Sequence, residues 1–519
     1  MLRKIRITLA AVFFVGLALL LLDFTGTLHA WLGWMAKVQL LPAVLAVNVG
    51  VVVGLVVLTL VFGRIYCSVV CPLGVMQDIF AWLGKKSRKN RYTFSREVRW
   101  LRYAMLAVFV VALVAGVGSV VQLLAPYSAF GRIMAAIFQP LWMLANNALA
   151  ALAERMDSYA FYSVDVWMRS LPVLIVAIAT LVLLFILAWR GGRTYCNTVC
   201  PVGTVLSLLA RFSLFKVRFS ADKCRDCSLC TKNCKASCID FKTHKVDYSR
   251  CVVCGDCIDK CKFGALKYGI PLSSPKKPTN NNDAPPSKSI EAPSGAVGGA
   301  SPSGAVGGAS ASSSRRSFLL TSALLTTAAL AQEGKKVDGG LAVLEKKQAP
   351  KRTTPLTPPG SLSAQNMAQR CTGCQLCVTE CPNGVLRPST DLMHLMQPTM
   401  SFERGYCRPE CTRCSDVCPT GAIKPIDREE KTSIQIGHAQ WYHWNCLPVK
   451  EGVECGNCAR HCPTGAITMV PLHPDDDLSP MIPSVNETLC IGCGACEHLC
   501  PVRPVSAIQV EGHEVHKHI

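Results

Sequence analysis

The sequence predicts a multidomain protein: an α-helical membrane bundle of four spans, with cysteine-rich α+β domains on both sides of it. Three observations carry this. Four apolar runs fill the first 190 residues, most of the 29 cysteines then follow in short repeated spacings, and a Pro/Gly/Ser-rich stretch divides the cysteine-rich part in two. With 50% apolar and only 17% charged residues, the 519-residue chain is too apolar for general disorder. It is also too long for one soluble domain or for a small disulfide scaffold.

The runs are Ile7–Leu22, Val38–Phe62, Leu101–Leu124 and Leu171–Trp189. A bilayer core needs roughly 20 residues, so the first run requires its flanks to complete a span. Arg3, Lys4 and Arg6 ahead of it also suit a signal peptide, but no small-residue cleavage site follows Leu22. Between the second and third runs stand Lys85, Lys86, Arg88, Lys89, Arg91, Arg96, Arg99 and Arg102 against one Glu97, whereas the loops Asp23–Lys37 and Ala125–Ser170 have no such excess. The positive-inside bias then places the N-terminus and residues 64–100 in the cytoplasm. The net charge of +20 is thereby explained largely by topology, and nucleic acid is not expected as a partner. Residues 1–215 form this membrane module.

The second and fourth runs end in the same motif, R-x-Y-C-x3-C-P-x-G. It is carried by Arg64/Arg193, Tyr66/Tyr195, Cys67/Cys196, Cys71/Cys200, Pro72/Pro201 and Gly74/Gly203. Two hairpins closing on one cysteine pair each predict pseudo-symmetric halves. Cysteines four apart share a helix face, so Cys67, Cys71, Cys196 and Cys200 are candidates for one metal or redox site. Buried thiols that merely pack are the plainer alternative.

Residues 216–270 carry two Cys-x2-Cys-x2-Cys-x3-Cys runs, the spacing of bacterial two-cluster ferredoxins, in which the fourth cysteine of one run serves the other cluster. Cys224, Cys227, Cys230 and Cys261 are assigned to one 4Fe–4S cluster; Cys251, Cys254, Cys257 and Cys234 are assigned to a second. The usual proline after the fourth cysteine is Lys235 in one run and Lys262 in the other. Cys238 is spare and is an alternative ligand to Cys234.

Residues 271–313 are a flexible linker, with PSGAVGGAS twice in tandem. Residues 314–332, beginning SRRSFLL, suit a twin-arginine export signal or a fifth, anchoring helix, with Ala331 ending a possible cleavage site. Either reading puts residues 333–519 in the periplasm of a cell whose inner membrane holds the bundle. Export of a folded domain fits a cargo whose thiols would otherwise oxidise.

Four further motifs follow: Cys371, Cys374, Cys377 and Cys381; Cys407, Cys411, Cys414 and Cys418; Cys446, Cys455, Cys458 and Cys462; Cys490, Cys493, Cys496 and Cys500. All end in Cys-Pro, which predicts four periplasmic 4Fe–4S clusters and six in all, in ferredoxin-like domains on both sides of the membrane. No Cys-x2-Cys-His occurs, so covalent haem is not expected, and no nucleotide loop or flavin motif is present.

The first 270 residues resemble the NapH-type membrane polyferredoxin of periplasmic nitrate reductase systems, and the chain from Ser314 onward resembles its NapG-type periplasmic partner. The resemblance implies a natural fusion acting as a quinol dehydrogenase: electrons leave the membrane quinone pool and reach a periplasmic reductase or cytochrome. It maps no quinol site; Cys67, Cys71, Cys196 and Cys200 are the candidates for that chemistry. Four-cluster subunits of molybdenum oxidoreductases imply first-with-fourth and second-with-third exchange, giving Cys500 to the first motif, Cys462 to the second, Cys418 to the third and Cys381 to the fourth. A copper-reducing or assembly factor and a NosR-like regulator share the membrane motif. The former lacks a four-cluster periplasmic half, and the latter carries a periplasmic flavin-binding domain ahead of its spans.

Overall fold

Apolar sequence makes the first 210 residues helical, and short caps decide where each helix stops. The computed structural model describes residues 2–88, 92–220, 223–270, 345–476 and 479–519; the linker, the paired arginines and Ala331 lie outside the described residues. The helices are α1 (Leu2–Leu22), α2 (His29–Lys37), α3 (Leu40–Leu45), α4 (Val49–Phe62), α5 (Tyr66–Val69), α6 (Pro72–Arg88) and α7 (Arg99–Val114). Then follow α8 (Gly118–Leu124), α9 (Pro126–Ile133), a π-helical turn at Met134–Phe138, α10 (Gln139–Glu154), α11 (Leu171–Gly191), α12 (Thr194–Thr198) and α13 (Pro201–Ala210).

Among the described residues three helices are long and apolar enough to cross a membrane: α1, the continuous Pro126–Glu154 and α11. Leu171, Ile175, Ile178, Val182, Leu183 and Ile186 of α11 are exposed, an outward apolar face that suits lipid.

Two of the expected spans are interrupted by an internal break. Residues 38–62 break at Ala46–Asn48, where Val47 is left-handed (φ 56°) and Asn48 Oδ1 accepts from Val51 N at 3.3 Å to start α4. Residues 101–124 break at Gly116 (φ 72°), which closes α7. The expected loop 125–170 instead holds Pro126–Glu154, with Pro126 in the first turn, where its missing N–H costs nothing. A count of apolar residues does not see a cap inside a run. The helices α2 and α3 turn at Val38–Gln39, and Gln39 Nε2 donates to Val70 O at 3.3 Å, so this hairpin folds back into the bundle.

The two cysteine-rich domains pack at opposite ends of α1. At its start, Arg3 Nε and Nη1 each lie 2.9 Å from a carboxylate, Asp256 and Asp259. Just past its end, Arg413 Nη1 donates to Thr25 O at 3.2 Å. At about 1.5 Å per residue, α1 holds those contacts roughly 30 Å apart. Residues up to Ile270 and from Glu345 onward thus form a single unit.

Both cysteine-rich domains are built of antiparallel ribbons two strands wide. In the first, β1 (Lys216–Phe219), β2 (Ile239–Asp240), β3 (Lys245–Val246) and β4 (Leu266–Gly269) pair β1 with β4 and β2 with β3. In the second, β5 (Leu386–Pro388) pairs with β6 (Pro398–Met400), β7 (Ile434–Trp441) with β10 (Ile508–His518), and β8 (Ile467–Pro471) with β9 (Met481–Val485). Register pairs such as Lys216↔Gly269 and Ile467↔Val485 leave the loops between strands free to carry cysteines.

One pH effect follows from β10. His516 is buried and lies 3.0 Å from Thr357 Oγ1, and desolvation pushes its pKa down to about 4. The folded imidazole therefore stays neutral where the unfolded one takes a proton, and stability falls as pH drops from 6.5 towards 4. Its contribution is expected to reach about 3 kcal/mol at the acid end of that window. Thermal melting of the full chain across pH 4.5–7.5 checks this, since His516→Gln should flatten the slope; parallel curves would contradict it.

Candidate iron–sulfur and membrane cysteine sites

Four of the cysteine motifs share a backbone device. The residues just before and just after the second cysteine are left-handed in each: Asp226 and Ser228, Val253 and Gly255, Gly373 and Gln375, Gly492 and Gly494. This turns successive N–H groups inward, making an anion-binding concavity around the sulfurs. Asp226 N donates to Cys224 Sγ, and Gly373 N to Cys371 Sγ, each at 3.4 Å.

The resulting cradles fit a common guest. Cys224, Cys227, Cys230 and Cys261 line one small cavity; Cys381, Cys407, Cys411 and Cys414 line a second; Cys446, Cys455, Cys458 and Cys500 line a third. Four soft sulfur donors around each match what a 4Fe–4S cluster requires. In the other domain-one cradle, Cys257 lies in the field of Cys254, Cys251 and Cys234. The spare Cys238 is buried 3.5 Å from Cys234 Sγ, at the rim of the same cradle.

Fourth-ligand exchange differs from the expectation. Cys381 joins the second motif and Cys500 the third. Cys418 lies beside Cys371, Cys374 and Cys377, and Cys462 beside Cys490 and Cys493. Motifs therefore exchange as first with second and third with fourth, because motifs adjacent in sequence fold on each other as compact pairs. Cys374→Ala and Cys418→Ala are each expected to remove one four-iron centre, and the double variant no more than that one, read by iron content and electron paramagnetic resonance. Loss of two centres in the double variant would contradict the exchange.

The cradles form a line. Gly131 of α9 packs against Cys374 O, so the first-motif cradle rests on the helix bundle. Cys407 N donates to Cys493 O at 2.9 Å, joining second to fourth, and Cys496 lies in the field of Cys458, joining fourth to third. At the other end of the bundle, Arg64 Nη1 donates to Ser249 O at 2.9 Å, which places the Cys251 cradle nearer the helices than the Cys224 one.

Between these ends the two membrane motifs meet. Arg64 of the first half donates to Cys196 O of the second at 3.2 Å; Arg193 of the second half donates to Cys67 O of the first at 2.6 Å. Each motif glycine makes room for the crossing arginine, since a Cβ on Gly74 would sit 2.8 Å from Arg193 Nη1, and one on Gly203 2.8 Å from Arg64 Nη2. Pro72 and Pro201 each open a helix directly after the second cysteine. Tyr66 OH donates to Gln39 Oε1 at 3.0 Å, and Tyr195 OH to Leu124 O at 3.1 Å. All four cysteines are buried and lie in one another's fields.

Sequence reasoning missed Gln77 and Asp78, and it noted Lys235 only as a departure from the usual proline. Gln77 Nε2 donates to Cys196 Sγ at 3.3 Å. Asp78 accepts from Arg193 Nε at 2.8 Å and Arg6 Nη1 at 3.0 Å, with Lys235 Nζ at 3.4 Å. One signal was present: Asp78 is the lone acid in an otherwise apolar stretch beside a motif.

The comparisons agree with the cradles. A model described as a 4Fe-4S binding domain matches residues 45–91 and 172–220; another of that description matches 244–267 and 367–387, and a 4Fe-4S dicluster domain matches 453–503. The putative electron transport protein YccM of Escherichia coli is 25% identical over 249 residues, 47% of this chain and 60% of its own length. The ferredoxin-type protein NapF of Escherichia coli is 30% identical over 165 residues, 31% of this chain and 90% of its own. No solved structure matches. The methylamine utilization ferredoxin-type protein MauM of Methylobacillus flagellatus is 34% identical over 180 residues, 34% of this chain and 76% of its own length. With its cysteine cradles and that coverage of MauM, the chain belongs to the ferredoxin-type 4Fe–4S proteins.

Proposed function

We propose that this protein is a quinol-linked electron carrier of a bacterial inner membrane, with its N-terminus and residues 216–270 cytoplasmic and residues 345–519 periplasmic. Lipid quinol donates electrons at the helix bundle, and a periplasmic reductase of the nitrate reductase kind receives them. One-electron exchange is the chemistry that 4Fe–4S clusters supply when bound. The chain's own residues fix the order. The observation that carries the reading is the line of cradles from the bundle outward, through the first, second, fourth and third motifs. Beside the last cradle, Trp444 is exposed, a flat aromatic suited to a docking partner. The apolar exposed face of α11 suits contact with quinol-bearing lipid.

The test is anaerobic addition of a reduced menaquinol analogue to the full chain in lipid nanodiscs, with cluster signals followed by electron paramagnetic resonance. Reduction of the clusters of residues 345–519 is expected. Clusters that dithionite reduces and quinol leaves oxidised would overturn the quinol donor.

A further inference from the structure

Six cradles account for 24 cysteines, yet four buried thiols, brought together from the two halves of the bundle, belong to none of them. We propose that Cys67, Cys71, Cys196 and Cys200 hold a seventh iron–sulfur cluster, two ligands from each half of the bundle, set between the cradles at its two ends. This deepens the electron-carrier reading by giving it a centre inside the bundle, and it rests on that reading for its role alone.

The electrostatics of the site call for an anion. Arg64 and Arg193 are fully buried. Arg193 has Asp78, but Arg64 has no carboxylate among the described residues; its acceptors are Asn197 Oδ1 at 2.9 Å and the carbonyls of Ser249 and Cys196. Beyond these, Arg64 Nη2 lies 3.9 Å from Cys67 Sγ, and Arg193 Nη1 lies 4.0 Å from Cys196 Sγ. A buried cation without a counter-charge is strongly unfavourable, and four neutral thiols supply none. Four thiolates on a cluster supply it, since such a cluster is a dianion when oxidised.

Hydrogen bonding points the same way. Gln77 Nε2 donates to Cys196 Sγ and Gly203 N to Cys200 Sγ, both at 3.3 Å, the kind of N–H···S contact that orients ligands and tunes a cluster. All four cysteines are free of disulfides.

The match of residues 45–91 and 172–220 to a 4Fe-4S binding domain adds weight, because these four are the cysteines those two segments contain.

The test is iron and acid-labile sulfide per chain, measured on anaerobically purified full-length protein, together with cluster spectra. About 28 iron atoms are expected for the parent chain and about 24 for Cys67→Ser/Cys196→Ser. Cys200→Ser, which keeps an oxygen ligand, should retain the iron but change one spectral component. This covers the case in which the double variant fails to fold. About 24 iron atoms in the parent chain, or one copper or zinc ion released by Cys200→Ser, would overturn the proposal. Iron content does not depend on the electron donor, so a missing seventh cluster with quinol reduction intact sinks only this inference. A seventh cluster that quinol fails to reduce sinks only the quinol reading.

Discussion

Asp78→Asn is expected to destabilise the helix bundle by about 3–5 kcal/mol, the usual cost of stranding buried charges. The carboxylate sits among three cations, Arg193, Arg6 and Lys235, with its side chain 11% exposed. Asparagine keeps the shape and most of the hydrogen bonds but removes the counter-charge. The damage should spread in two directions. Arg193 also holds Cys67 O in the opposite half, and Lys235 follows Cys234 in the nearer cradle of the 216–270 domain. Thermal inactivation of the detergent-solubilised chain, read with iron retention, measures both. A midpoint equal to the parent's would show that the four charges are not one unit.

Gly131→Ala is expected to separate the first-motif cradle from the bundle while leaving its iron in place. A Cβ at Gly131 would overlap the carbonyl oxygen of Cys374, which is backbone of the loop between Cys371 and Cys377 and cannot swing aside. Overpacking of this kind costs about 1–3 kcal/mol. Because electron transfer falls steeply with distance, reduction of the clusters in residues 345–519 by an electron supplied at the bundle should slow. Stopped-flow spectroscopy of the full chain gives the rate. A parent-like rate with unchanged iron would mean that electrons enter that domain elsewhere. The other end has a matching close approach, where Gly192 (φ +67°) packs on Lys235 O.

The cysteine chemistry was legible because ligand spacing is written locally. Cys-x2-Cys-x2-Cys marks a cradle before any tertiary structure is known, and the left-handed residues inside it are consequences of that short loop. The repeated R-x-Y-C-x3-C-P-x-G was equally legible as a pattern. Its purpose was not, because each arginine serves the other half, 132 residues away for Arg64 and Cys196 and 126 for Arg193 and Cys67. Fourth-ligand exchange failed for a related reason. Cys381 and Cys500 sit at the ends of their motifs, and only the packing of adjacent motifs decides which cradle they reach. The span boundaries failed on single residues, Asn48 and Gly116, whose caps interrupt apolar runs without changing their hydropathy.

Proteoliposomes free of quinone, with an impermeant viologen reductant outside and an impermeant haem acceptor trapped within, test most directly whether one chain carries electrons between both ends of the bundle through its cysteines. Reduction of the trapped acceptor, abolished by Cys67→Ser/Cys196→Ser, is the expected result whichever way the protein inserts. An acceptor that stays oxidised while the outward-facing clusters are reduced would contradict the account.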